Sequence, residues 1–236
     1  MLLDLKQLLN IGQDEIVFGL DIGSSAVKLI QMHKDNTGYA VTAAGIAEIA
    51  AGVAEIAVGV AETAAGEGSE DNSKINTVKA ISECLRSTEP QTQLAVCGVS
   101  GPEVAVRYFS FPSLLPPEEI EGAVLLEAAQ VCPFNIGDAS THYQLMPNGE
   151  DKTSGILVAA TNEVIKNKVQ LAKTAYLDCA LMDVDGLALL NCLNEFERTK
   201  PDEAKAVLNV GGSCTTLAIM GEDSPPFIRD MTYAGN

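Results

Sequence analysis

VFGLDIGSSAVKLI, residues 17–30, reads as an apolar β-rich run, a polar bend and a second apolar run. Ile16 to Leu20 predicts a buried strand, Asp21-Ile22-Gly23-Ser24-Ser25 a tight turn, and Ala26 to Met32 the returning strand. The plan recurs late in the chain as AVLNVGGSCTTLAI, residues 206–219, with Asn209, Gly211, Gly212, Ser213 and Thr215 around the turn. Phosphate binding accounts for this composition. Glycines let backbone N–H groups approach phosphate oxygens closely, and Ser/Thr hydroxyls add donors. A carboxylate at the strand end, Asp21, repels phosphate but can hold the waters of a magnesium ion that neutralises it. One such turn is common among ordinary hairpins. Two copies far apart in one chain predict a pair of bends that clamp a nucleotide tail from both sides.

Outward from these hairpins, β-type and helical periodicities alternate. Strands are predicted at Tyr39 to Ala44, Leu94 to Val99, Val104 to Phe109, His142 to Met146, Gly155 to Ala160, Leu181 to Val184, and Phe227 to Met231. Helices are predicted at Ser73 to Leu85, with Ile75, Val78, Ile81 and Leu85 inward, and at Asn162 to Ala175 and Gly186 to Glu197. Another starts where Pro116-Pro117 precede Glu118 and Glu119, and stops at Cys132-Pro133. The succession is that of an α/β fold with a duplicated plan. Residues 2–9 have the pattern of a short amphipathic helix.

Residues 45–65 are a tandem heptad repeat, GIAEIAA-GVAEIAV-GVAETAA. As a helix it would carry an apolar seam and a stripe of Glu48, Glu55 and Glu62, weakened by a glycine in every unit. As an expanded loop it would cost little. EGSEDNS, residues 67–73, reads as the polar linker that closes the insertion.

The 236-residue chain has room for one large or two small domains. Its 32 acidic and 15 basic residues leave a formal charge of −17, which argues against nucleic acid or an anionic bilayer as a bulk-charge partner. The N-terminal apolar run is broken by Asp4 and Lys6, so it is not a signal peptide, and no apolar run is long enough for a transmembrane helix. The six cysteines form no CxxC pair and sit in apolar runs, which predicts buried, reduced thiols. Arg107 and Arg229 are expected to pair with some of the many carboxylates.

The first hairpin resembles the first phosphate motif of the actin, sugar-kinase and heat-shock-chaperone superfamily. Within it, RYFSFPSLLPPEEIEGAVLLEAAQVCPFNIGDASTHYQLM (107–146), SGILVAATNEVIKNKVQLAKTAYLDCALMDVDGLALLN (154–191), LNVGGSCTTLAI (208–219) and FIRDMTYAGN (227–236) resemble the PilM family of type IV pilus assembly proteins. The resemblance implies an actin-like (ribonuclease H-like) fold with an FtsA-like inserted subdomain and an incomplete second lobe. Residues 1–103 would form the first lobe, including the insertion at 45–73. Residues 104–175 would form the inserted subdomain, 176–205 the rest of the first lobe, and 206–236 the start of the second. It also implies a cytoplasmic scaffold that binds ATP with Mg, grips the tail of a PilN-like inner-membrane protein and meets other inner-membrane pilus components. By position, Asp21, Gly23, Ser24, Ser25 and Lys28 would belong to the first phosphate motif, and Asn209, Gly211, Gly212, Ser213 and Thr215 to the second. Asp21 and Asp183 would hold magnesium through water. Asn209 stands where the superfamily usually has Asp, so its amide adds no charge and efficient hydrolysis is not expected.

Two other readings remain. Lys28 is also readable as a solvated strand lysine, and Asp185 as a helix cap beside Asp183. The chain could be a sugar-kinase-like phosphotransferase, though no segment marks a sugar site. It could also be an interaction domain that has lost ATP binding.

Overall fold

Alternation of inward apolar and outward polar residues builds the first sheet. In the computed structural model, which describes residues 16–36, 38–51, 68–146, 151–197, 203–221 and 224–235, β1 (Phe18–Ile22), β2 (Ala26–Asp35) and β3 (Gly38–Glu48) form an antiparallel meander. β4 (Leu94–Val99) pairs with β1 in parallel, and β8 (Asp178–Val184) completes the order β3-β2-β1-β4-β8. A three-strand meander whose first strand gains a parallel neighbour is the sheet order of the actin-like, ribonuclease H-like class. The parallel step demands a crossover, which α1 (Gly68–Thr88) provides.

Register explains where the core of this sheet lies. Val27, Leu29 and Gln31 pair with Ala47, Gly45 and Ala43 on one face. Gly45 lies so close to Thr88 and Cys84 of α1 that a Cβ there would collide with the Thr88 methyl. Phe18, Leu20, Ile22, Ile81, Cys84, Ala95 and Cys97 are buried together with Ala172 and Leu177. The opposite face of β2 and β3 leaves Ile30, Met32, Val41 and Ile46 exposed.

The second sheet, β5-β7-β6, consists of β5 (Val104–Phe111), β6 (Ala139–Met146) and β7 (Thr153–Thr161). Helix α2 (Pro117–Val131) covers it through Ile120, Val124 and Ala128, which pack on Phe109 and Leu157. Pro at its first position and Glu118 and Glu119 in its first turn explain where it begins. The third sheet, β11-β10-β9, consists of β9 (Ala204–Val210), β10 (Thr215–Gly221) and β11 (Phe227–Met231). Helix α4 (Asp185–Phe196) lies so close to β11 that a Cβ at Gly186 would overlap the Ile228 side chain.

Contacts group the chain into two compact units. One holds Leu9–Gly98 and Asn167–Met182; the other holds Val99–Lys166 and Asp183–Asn236. Helix α3 (Asn162–Thr174) spans the change, and Ala172 and Ala175 near its end are buried in the core of the five-stranded sheet.

Several expectations need correction. β3 runs on through Glu48, so the first heptad begins as a strand, not as a helix or a loop. Pairing with β2 (Ala26↔Glu48, Val27↔Ala47) holds it there. The other two heptads, residues 52–65, and the amphipathic segment 2–9 lie outside the described residues. The segment expected as a linker belongs mostly to α1, which starts at Gly68. Within α1, Ile75 is exposed while Asn76 and Thr77 are buried, because the Asn76 amide donates to the Ala50 carbonyl at 3.0 Å. Of the cysteines, Cys84 and Cys97 are buried, and burial pushes the Cys84 thiol up, which keeps it inert. Cys192, in contrast, is exposed. Among the described residues no helix is long and apolar enough to cross a membrane.

Candidate nucleotide-binding turns

The two hairpins share one local geometry. In the first, the Gly23 N–H donates to the Ala26 carbonyl at 3.1 Å; in the second, the Gly211 N–H donates to the Cys214 carbonyl at 3.0 Å. A Cβ on either glycine would meet that same carbonyl oxygen, at 2.9 Å for Gly23 and 2.7 Å for Gly211. Close approach within the turn, not a left-handed φ, is what demands glycine at these two positions. Each turn is also held by an amide from a later segment. Ile49 N–H donates to the Ser25 carbonyl at 2.8 Å, and Gly235 N–H to the Gly211 carbonyl at 2.9 Å.

The strand ends beside the turns differ in charge. Asp21 and Lys28 face each other across the β1–β2 ladder and form an ion pair at 2.8 Å, both side chains about half exposed. Lys28 is thus a strand lysine with a carboxylate partner. A pair this exposed contributes little to stability and can open at small cost. The matching pair in the second hairpin is Asn209 and Thr216. Thr216 Oγ1 donates to Asp230 Oδ1 at 2.6 Å, so the carboxylate beside the second turn comes from β11. Asp230 Oδ2 accepts the Gly101 N–H at 2.6 Å. Burial, then the Asp230 and Asp185 carboxylates, push the Cys214 thiol in this turn up.

The predicted residues therefore fall into two groups. Asp21, Gly23, Ser24, Ser25 and Lys28 sit on the β1–β2 hairpin of one unit. Asn209, Gly211, Gly212, Ser213 and Thr215 sit on the β9–β10 hairpin of the other, which also holds Asp183 at the end of β8. Ser24, Ser25 and Ser213 are exposed, whereas Thr215 is buried. The turns fit phosphate: Gly23 and Gly211 spend their amides inside the bend, and the residues after them present hydroxyls outward. Among the described residues no three His, Cys, Asp or Glu side chains converge as a metal cage. Magnesium would thus be held by phosphate and by single carboxylates acting through water.

Asp185 does not cap α4. Val184 occupies the cap position, and the Asp185 carboxylate accepts the Ser100 hydroxyl at 2.6 Å. Asp183 accepts the Val184 N–H at 2.7 Å. Burial, with Asp185 adding to it, raises the Asp183 carboxyl above its ordinary value. A carboxyl raised on folding binds protons more tightly in the native state. Its effect on stability is nil below the ordinary pKa, grows into a penalty as pH rises from there to the shifted value, and stays constant above it. Asp183→Asn keeps an acceptor for the Val184 amide and removes that penalty. The variant is expected to melt at a higher temperature than the parent at pH 7. At pH 3 the two proteins should melt together; scanning calorimetry at both pH values checks this.

Reasoning from sequence missed two contacts beside the turns. Asp230 is a lone acid in the FIRDM strand, and only the pairing of Thr216 with Asp230 reveals it. Lys168 on α3 donates its ammonium to the Ile22 carbonyl, immediately before Gly23. No local pattern in α3 singles that lysine out.

Comparison with known proteins agrees with this architecture. The family model described as type IV pilus assembly protein PilM matches residues 19–236. The structure of a PilM–PilN type IV pilus biogenesis complex superposes with a TM-score of 0.70 at 25% identity, covering 93% of this chain and 62% of that one. This chain thus spans less than two thirds of the length of that relative. The cytoplasmic domain of EpsL, an inner membrane component of the type II secretion system of Vibrio cholerae, shares the fold at 10% identity and a TM-score of 0.52, covering 92% of this chain and 71% of that one. With a family match over nearly its whole length and the sheet order expected of an actin-like protein, the chain belongs to the PilM family of type IV pilus assembly proteins.

Proposed function

We propose that this chain is a nucleotide-binding scaffold of type IV pilus assembly that grips the cytoplasmic tail of a PilN-like inner-membrane protein. The observation that carries the nucleotide half is the recurrence of one glycine-dependent turn at Gly23 and Gly211. The relative solved as a PilM–PilN complex supports the partner half. In this reading Ser24, Ser25, Gly212 and Ser213 hold ATP phosphates through backbone amides and hydroxyls, while Gly23 and Gly211, whose amides close the bends, give the two turns their shape. Thr215 backs the second turn. Asp21 and Asp183 orient magnesium-bound water, and Lys28 holds Asp21 in place until the metal competes for it. Bound Mg·ATP supplies charge and shape that differ between nucleotide states, and differential affinity for those states is what could bias the tail-binding surface. Asn209 orients water without adding charge, so turnover is slow and binding is the working property. Location at the inner membrane follows from the partner.

A synthetic peptide of the PilN-like tail, immobilised, should capture the full-length protein, and Mg·ATP should change the captured amount several-fold. Failure of any such peptide to capture it, with or without nucleotide, would sink the partner half. Asn209 specifically favours one other reading, an interaction module without nucleotide. A melting temperature unmoved by millimolar Mg·ATP would support it.

A further inference from the structure

Beside the inserted sheet lies a groove of about 600 Å³ that neither turn uses. Its walls are two strand edges, β5 and β11, each the outermost strand of its sheet and neither hydrogen-bonded to the other. Pro102, Pro226, Tyr108 and Phe227 make the lining apolar, and both aromatic side chains are substantially exposed. Arg107 and Arg229 line the same groove. In a chain with a formal charge of −17 both were expected to be neutralised. Among the described residues neither has a carboxylate within ion-pair distance. The one carboxylate in the lining, Asp230, is committed to the Gly101 amide and the Thr216 hydroxyl.

Free strand edges offer unpaired backbone donors and acceptors to an extended chain. Exposed aromatic and proline surface between them favours side-chain contact over a small inorganic anion. Arg107 gives one N–H to the Val106 carbonyl at 2.9 Å, but among the described residues neither guanidinium has a carboxylate partner; in so acidic a molecule the pair selects negative charge and suits capture of carboxylates. Nucleic acid is disfavoured by the rest of the surface. We infer that this groove receives an extended acidic peptide of a protein partner, laid along the β5 and β11 edges with its carboxylates on Arg107 and Arg229. The inference stands apart from the nucleotide reading, because none of the residues assigned to ATP or magnesium lines the groove.

The test is panning of a random dodecapeptide phage library on the full chain, with the Arg107→Glu/Arg229→Glu variant as counter-selection target. Recovered peptides should be enriched in Asp and Glu interspersed with Leu, Phe or Tyr. The best of them, synthesised, should bind the charge-reversed variant at least tenfold more weakly, and more weakly in high salt. Its mirror, with Lys at each acidic position, should prefer the variant. Both arginines are exposed, so the variant should melt like the parent; if it does not, Arg107→Gln with Arg229→Gln takes its place. Recovery of no peptide, of peptides without acidic enrichment, or of peptides bound equally by a normally folded variant would overturn the proposal.

Discussion

Phe109→Ala should destabilise the unit that holds the β5-β7-β6 sheet by about 3–5 kcal/mol, the cost of deleting a large side chain from a packed core. Phe109 is 2% exposed. It meets Phe111 at a ring-centroid distance of 5.4 Å and Tyr143 edge-on at 6.4 Å. It also covers Gly155, where a Cβ would come within 2.7 Å of its ring. Nothing nearby can move in to fill the void, because α2 is already seated on the same cluster through Ile120, Val124 and Ala128. Hydrogen exchange should show amides of β5 and β7 losing protection first, while β1 and β2, in the other unit, keep theirs. Equal loss in both would mean that the two units melt as one.

Mg·ATP should raise the melting temperature of the parent, and Gly23→Val and Gly211→Val should each abolish that rise. The parent at a hundredfold excess of ligand over Kd gains about 2.7 kcal/mol, several degrees for a chain of this size. In either variant the new side chain meets the carbonyl that closes the bend, so the turn must open and the serines that follow the glycine are displaced. The turns are surface features, so each variant should still fold, at a cost of about 1–2 kcal/mol. A parent that responds to nucleotide alongside a variant that responds equally would remove that turn from the site.

What could be read without coordinates was whatever short-range chemistry controls. Glycine at 23 and 211 announces a bend that no other residue fits, and alternation announces β1, β2 and β10. The Pro-Pro-Glu-Glu run announces the start of α2. Element ends were less legible because pairing, not propensity, sets them: β3 is longer than its β-formers because β2 offers partners up to Glu48. Long-range partners were not legible at all. Asp230 reaches Thr216 and Gly101, and Lys168 reaches Ile22, through tertiary placement alone. The arginines show the converse. Abundant carboxylates made ion pairs a reasonable expectation, yet charge balance over a whole chain says nothing about which side chains come within reach.

The first heptad contributes its GIAE to the end of β3. The next unit opens with GVAE. Excision of one whole unit from the gene would therefore deliver a nearly identical tetrapeptide to the same ladder positions. The only alteration within the strand would be Ile46→Val, at a side chain that is 65% exposed. The sheet is thus indifferent to copy number, and the tract can shrink or grow by slippage during replication without selection for β3 opposing it.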